Sequence, residues 1–190
     1  MTRSRGVFLD RDGVLNRAYV VDGVPHPPAS LIELVILPGV IESCSRLRVA
    51  GFKLIMVTNQ PDIARRRQTR RVVDQINEAI CVQVGLDDLR VCPHDSPDDC
   101  QCRKPRPGML LDAARGHDID LQASFMVGDR DRDIAAGRAA GCRTVFVDHQ
   151  YTAEPPPDAD LIVNSLYDAV DWIIATPPSA RRTRDVSPEH

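Results

Sequence analysis

Short apolar runs recur along this chain, each ending at polar or turn-forming residues. Those near 6–10, 53–57, 88–91, 124–127, 143–147 and 160–163 have the length of strands. Between several of them the apolar spacing widens to the helical period. Val40, Cys44 and Leu47 share one face of 39–50, with Gly51 as a stop. Val72, Val73, Ile76, Ile80 and Val84 do the same in 69–84, ahead of Gly85. The alanine-rich stretch 131–140 ends at Gly141, a natural C-cap. Strand and helix in alternation predict a mostly parallel sheet covered on both faces, an α/β Rossmann-like three-layer sandwich. The segment 17–38 is polar and carries Pro25, Pro27, Pro28 and Pro38, which predicts a flap and so a minimal cap. The Pro- and Arg-rich stretch 176–190 predicts a disordered tail, and no internal repeat is visible.

At 190 residues and 43% hydrophobic, the chain can bury one core, expected to span 1–175, with little room for a second. A formal net charge of −3 gives no global basic field, so nucleic-acid binding is not indicated. No apolar stretch nears the roughly 20 residues of a membrane span, and Met1–Arg5 leads into the first strand without a signal-peptide core. The expectation is a cytoplasmic monomer with neither nucleic-acid nor membrane partners. Six cysteines in a reducing compartment argue for metal ligation or burial over disulfides. Cys44, Cys81 and Cys142 suit buried positions. His26, His117 and His149 have no ligand partner at useful spacing and read as surface or packing residues.

Candidate chemistry gathers where the strands end. Val7-Phe8-Leu9 stops at Asp10-Arg11-Asp12-Gly13, and alternation along a strand sends Asp10 and Asp12 off its end on the same side. Two such carboxylates repel unless a cation sits between them or one is protonated. A lone Asp-x-Asp is common in surface turns, but here comparable strand ends carry Thr58-Asn59-Gln60 and Gly128-Asp129, with Asp133 four residues on. Ligand crevices of open α/β sheets lie at such carboxyl ends. Cys92-x-His94 and, after five intervening residues, Cys100-x-Cys102 place three sulfurs and one imidazole within eleven positions. That is the donor set of a closed, structural Zn²⁺. The intervening Asp95–Asp99 has little to pack with, and coordination would supply its order. The loop 92–102 is therefore predicted to bind zinc and to aim Arg103 and Lys104 at the strand ends.

Asp-x-Asp, a strand-end Thr, a Lys and Gly-Asp-x-x-x-Asp, in that order, resemble the haloacid dehalogenase-like phosphohydrolase superfamily. Phe8-Leu9-Asp10-Arg11-Asp12-Gly13, Thr58-Asn59-Gln60, Cys92-Pro93-His94 and Cys100-Gln101-Cys102-Arg103-Lys104-Pro105 together are similar to its D-glycero-D-manno-heptose 1,7-bisphosphate phosphatase and histidinol-phosphatase branch, over roughly residues 6–170. The resemblance implies phosphomonoester hydrolysis through an aspartyl-phosphate. Asp10 is the implied nucleophile, Asp12 the general acid and then base, and Thr58 and Lys104 the groups that hold the transferring phosphoryl. Mg²⁺ would be held by Asp10, Asp129 and the backbone carbonyl of Asp12, with Asp133 behind them. Arg103 is implied in substrate recognition, since a guanidinium can clamp a second phosphate or a sugar hydroxyl. Tyr19, Asn59, Gln60 and Arg130 are further substrate-binding candidates. The family usually has glycine where this chain has Arg66, and the run Arg65-Arg66-Arg67 either draws a more anionic substrate or is a solvated charge run. The implied substrate is the small phosphorylated sugar heptose 1,7-bisphosphate, losing its C7 phosphate on the way to nucleotide-activated heptose. Histidinol phosphate or another small sugar phosphate is the alternative. A zinc-stabilised binding module without catalysis is the rival of another class, and an intact nucleophile speaks against it.

Overall fold

The computed structural model of the chain describes residues 3–150 and 155–177. In chain order its elements are β1 (Arg5–Leu9), β2 (Tyr19–Val21), β3 (Val24–His26), α1 (Val40–Val49), β4 (Phe52–Asn59), α2 (Arg70–Val84), β5 (Asp88–Cys92), α3 (Gly108–Gly116), β6 (Phe125–Gly128), α4 (Asp131–Ala140), β7 (Arg143–Val147), β8 (Leu161–Val163) and α5 (Leu166–Ala175). Every predicted strand and helix is present within a residue or two. Two helices, α3 and α5, come in addition. The signal for α5 is in the chain: Leu166, Ala169, Val170 and Ile173 follow the helical period and are buried, and the Ser165 side chain caps the helix by accepting from the Asp168 N–H. Thr176, assigned to the tail from sequence, instead closes α5, its N–H donating to the Trp172 carbonyl at 3.0 Å. The stretch 178–190 lies outside the described residues.

Six strands form one sheet in the order β5-β4-β1-β6-β7-β8, each neighbouring pair parallel. Parallel strands need cover on both faces, and the period of two delivers it. Val7, Leu9, Leu54, Met56, Val127, Val145 and Val147 pack with the apolar sides of α1, α2 and α5. Phe8, Ile55, Val57 and Met126 point the other way, against α3 and α4. Burying each such side chain contributes about 1.5–3 kcal/mol, so the three layers follow from the apolar runs themselves.

The strand order places the site. From β1 the chain winds outward through β4 to β5, then crosses back over β1 to β6 and winds the other way. Loops leaving β1 and β6 therefore diverge, and the crevice between their carboxyl ends is the switch point where ligands of doubly wound sheets bind. Leu9 pairs with Met56 on one side and Val127 on the other, so Asp10 emerges between the ends of β4 and β6.

The proline-rich segment contains a β2–β3 hairpin and a short 3₁₀ turn, Leu31–Glu33. Its turn, Asp22-Gly23, has positive φ at both residues (51° and 75°), the type I′ geometry that matches strand twist. Cys44 and Cys142 are buried and Cys81 is half-buried. Burial pushes the Cys44 and Cys142 thiols up to about 12. Among the described residues no helix is long and apolar enough to cross a membrane.

Candidate active site

Asp10, Asp12, Thr58, Lys104 and Asp129 line one cavity of about 270 Å³ at the carboxyl ends of β1, β4 and β6. Lys104 organises it. Its ammonium donates to Asp10 Oδ1 at 2.7 Å and to the Val57 carbonyl at 2.8 Å, and lies 2.7 Å from Asp133 Oδ1. Asn59 holds the Lys104 backbone from both sides, Nδ2 donating to its carbonyl and Oδ1 accepting from its N–H. Register explains the arrangement: Asn59 ends β4 opposite Cys92 at the end of β5, from which the cysteine-rich loop departs and returns with Lys104. A buried ammonium is destabilised unless partnered. Burial opposes the charge on Lys104, but Asp10 and Asp133 outweigh it and hold the group above its ordinary value.

Asp10, Asp129 and Asp133 are all buried, with carboxylate oxygens within 4.8 Å of one another. Burial pushes Asp10 up to about 6 against the pull of Lys104, with Asp133 and Asp12 adding repulsion. Asp129 is held well above the ordinary carboxylate value, first by burial and then by Asp10 and Asp133. Asp129 Oδ1 accepts no hydrogen bond. Such crowding, with a buried oxygen left over, is what a divalent cation relieves. Two glycines permit the close approach. A Cβ at Gly13 (φ +89°) would come within 2.3 Å of Asp129 Oδ2, and one at Gly128 within 2.1 Å of the Asp133 side chain.

The other sequence-predicted residues divide. Arg103 and Arg130 line the cavity; Arg103 also donates to the His94 carbonyl at 3.0 Å, and Arg130 Nε lies 3.6 Å from Asp129 Oδ2. Asn59 and Gln60 line the cavity as well and also bond within the protein, whereas Tyr19 lies off it. The Tyr19 hydroxyl donates to the Glu33 carbonyl at 2.6 Å, and Tyr19 does not line the cavity. Asn59 is occupied by Lys104. Gln60 is almost wholly buried, with Nε2 donating to Asp12 Oδ2 and Thr58 Oγ1, both at 2.9 Å. Short polar side chains at a crowded strand end find local partners, so both amides are held in place at the cavity wall. Asp133 is likewise drawn inward: it pairs with Lys104 and accepts from the Arg130 N–H.

The arginine run splits too. Arg65 and Arg67 both line the cavity, and Arg65 also forks onto Asp95 at 2.6 and 2.7 Å. Sequence reasoning missed Arg132 and His26, which also line it, and Arg11, which is fully buried. His149, read as a surface or packing residue, meets the Gly13 carbonyl at 2.6 Å.

Beside this cavity, Cys92, His94, Cys100 and Cys102 converge as their spacing predicted, with donor atoms within 4.8 Å of one another. Sγ–Sγ distances are 3.6 Å (Cys92–Cys100) and 3.4 Å (Cys100–Cys102), and His94 Nδ1 lies 3.7 and 3.3 Å from the Cys92 and Cys102 sulfurs. Burial raises Cys92 and Cys102. Burial opposes the same charge at Cys100, but hydrogen bonds from the Cys102 and Cys92 thiols and two backbone N–H groups bring it down to about 7.

A D-glycero-β-D-manno-heptose-1,7-bisphosphate 7-phosphatase from Yersinia pestis is 38% identical over 184 residues, covering 88% of this chain and 95% of that protein. The chain belongs to this phosphatase family. The enzyme of the same name from Helicobacter pylori is 31% identical, covering 91% and 99% of the two chains. The HAD-hydrolase-like family model matches residues 101–169, the part of this phosphatase-family chain from the cysteine-rich loop to α5. The crystal structure of the Bordetella bronchiseptica D,D-heptose 1,7-bisphosphate phosphatase complexed with magnesium and phosphate superposes with a TM-score of 0.76 at 29% identity, covering 90% of this chain and 98% of that one. The family's α/β Rossmann fold with a mostly parallel sheet is the fold described above.

Proposed function

We propose that this protein is a Mg²⁺-dependent phosphatase that removes the C7 phosphate of D-glycero-D-manno-heptose 1,7-bisphosphate, in the biosynthesis of nucleotide-activated heptose. The observation that carries the reading is the bond from Lys104 to Asp10 beside the unpartnered Asp129 oxygen, at the sheet's switch point. Its family relatives act on the same sugar bisphosphate by name.

Asp10 attacks phosphorus as a carboxylate, forming an aspartyl-phosphate as the bond to the C7 oxygen breaks. Asp12 gives its proton to the departing alkoxide. It then takes one from the water that cleaves the aspartyl-phosphate, which releases phosphate and restores Asp10. Thr58, through hydroxyl and backbone N–H, and Lys104 hold the phosphoryl oxygens where charge develops. Asp10, Asp129 and the Asp12 carbonyl would hold Mg²⁺. Three buried carboxylates, Asp10, Asp129 and Asp133, crowd around one buried cation, Lys104, which suits a divalent ion. When bound, it screens the anionic nucleophile from the phosphate dianion. The arginines at the rim, Arg67, Arg103, Arg130 and Arg132, favour a substrate with a second phosphate over one with an ammonium group.

The cysteine-rich loop fits a structural Zn²⁺. Donors at about 2.0–2.3 Å from a tetrahedral ion stand about 3.3–3.8 Å apart, and the separations above lie in that range. Zinc would fix the loop that presents Arg103 and Lys104.

The test is phosphate release with Mg²⁺ from both anomers of the heptose 1,7-bisphosphate, the 7-monophosphate and histidinol phosphate, with metal analysis of the purified protein. The expected result is a kcat/KM on one bisphosphate anomer at least tenfold above the rest, loss of turnover in folded Asp10→Asn, and one bound zinc. Preference for histidinol phosphate would reassign the substrate. No turnover of any phosphomonoester would sink the enzyme reading, and a zinc-free, fully ordered loop would sink the structural metal.

A further inference from the structure

The Asp-x-Asp motif holds a third charged residue that the catalytic scheme does not use. Arg11 is fully buried, the largest side chain to be so among the described residues. Its Nε and Nη2 both donate to the two oxygens of Asp12, at 2.9–3.2 Å. Its Nη1 donates to Asn77 Oδ1 at 2.9 Å, and Asn77 is itself buried on α2. Asn16 Nδ2 and Gln60 Nε2 complete the set, donating to Asp12 Oδ1 at 3.0 Å and Oδ2 at 2.9 Å. The Asp12 side chain is only 19% exposed. A guanidinium without solvent is costly to keep unless its fork is filled; here it is filled by one carboxylate and one amide, on two separate elements.

We propose that Arg11, anchored to α2 through Asn77, is a positioning residue that holds the Asp12 carboxyl in the orientation from which it protonates the leaving alkoxide. The inference rests on the assignment of Asp12 as general acid and base. A carboxylate can rotate about two side-chain bonds, and in a cavity shared with Lys104 and Arg103 it has competing attractions. The arginine fork removes that freedom, because a planar guanidinium bonded to both oxygens fixes the carboxylate plane as well as its position. Asn77 ties that plane to the helix layer. Misplacing a reacting group by about 1 Å can cost about 10²-fold in rate, which is the scale of effect expected here. The requirement is selective: a poor alkoxide leaving group needs the proton, whereas nitrophenolate departs without it.

The experiment compares wild type, Asp12→Asn, Arg11→Met, Arg11→Lys and Asn77→Ala on two substrates, with folding checked by circular dichroism. One is an alkyl phosphomonoester that the wild type hydrolyses; the other is p-nitrophenyl phosphate, followed as the first-turnover burst of nitrophenolate. Expected is a fall of about 30- to 100-fold in kcat on the alkyl ester for Arg11→Met, with KM unchanged and burst rate within about threefold of wild type. Arg11→Lys, which keeps the charge and loses the fork, should show the same split, and Asn77→Ala a milder one of about 3- to 10-fold. Should Arg11→Met fail to fold, those two variants carry the test. Equal losses on both substrates, or none on either, would overturn the proposal. Asp12→Asn separates the failures: if it shows the split and the Arg11 and Asn77 variants do not, only the positioning role falls. If Asp12→Asn shows no split, the general-acid assignment falls and the proposal with it.

Discussion

Arg66 has φ +57°, in the left-handed region that glycine adopts freely and other L-residues at a cost. The family resemblance puts glycine at this position, and the backbone of the 61–68 loop has kept the bend that glycine serves. Two effects oppose in Arg66→Gly. Relief of the left-handed strain is worth about 1–2 kcal/mol, and the added freedom of the unfolded chain takes back about 0.4–1 kcal/mol. The first wins, so Arg66→Gly should stabilise the protein by about 0.5–1 kcal/mol in urea unfolding; an unchanged or lower midpoint would show that the arginine side chain has contacts worth keeping. Residue-scale chemistry was partly legible in the chain. Asp10, Asp12, Thr58 and Asp129 meet where their strand ends place them, and the cysteine-rich loop brings Lys104 to them. Tyr19 lies off the cavity, whereas Asn59 and Gln60 line it and also bond within the protein; residue type shows that a side chain can donate or accept, and only neighbours decide to whom. Arg11 was overlooked for the opposite reason, since an arginine between two aspartates looks solvated until α2 is packed over it.

Among the elements, the cysteine-rich loop and the 61–68 loop form a linked pair. Arg65 forks onto Asp95, the residue after the zinc candidate His94. Hydrogen bonds from Arg65, then from the Ser96 N–H, draw the Asp95 carboxyl down to about 2. Its folded value lies below the ordinary one near 4. The stabilisation is therefore fully present above about pH 4 and is lost only as pH falls toward 2. Asp95→Asn should reduce hydrogen-exchange protection of the loop amides, by the same factor at every pH from 8 to 5. A difference that grows or vanishes within that window would mean another group controls the loop. The helices and the β2–β3 hairpin show how unevenly elements announce themselves. Long periodic α2 is plain in the chain, whereas nine-residue α3 offers too few turns for its period to stand out. The Asp22-Gly23 turn is a hairpin signal in its own right, hidden by the prolines around it.

For the molecule as a whole, the decisive quantity is the charge gathered at one end of the sheet. Asp10, Asp129 and Asp133 crowd around one buried ammonium, Lys104, and the unfolded chain has no such concentration. Mg²⁺ should therefore bind the folded form selectively. At a hundredfold excess over its dissociation constant that adds about 2.7 kcal/mol, which for a chain of this size raises the melting temperature by about 5–10 °C. Asp129→Asn should abolish the increment, and a Mg²⁺-insensitive wild type in differential scanning calorimetry would rule the site out. The amino-acid order by itself determined the six strands of the main sheet, most of the helices, the two-faced core and the gathering of Cys92, His94, Cys100 and Cys102. Each depends on periodicity or on residues close together in the chain, so local sequence contains the information. Tertiary structure alone decided that Asp10 lies between β4 and β6 and that Lys104 bridges Asp10 and Asp133. It also decided that Arg11 faces Asn77, 66 residues away. Those contacts arise from the order in which parallel strands assemble, and a buried charge takes as partner whatever that assembly brings within reach.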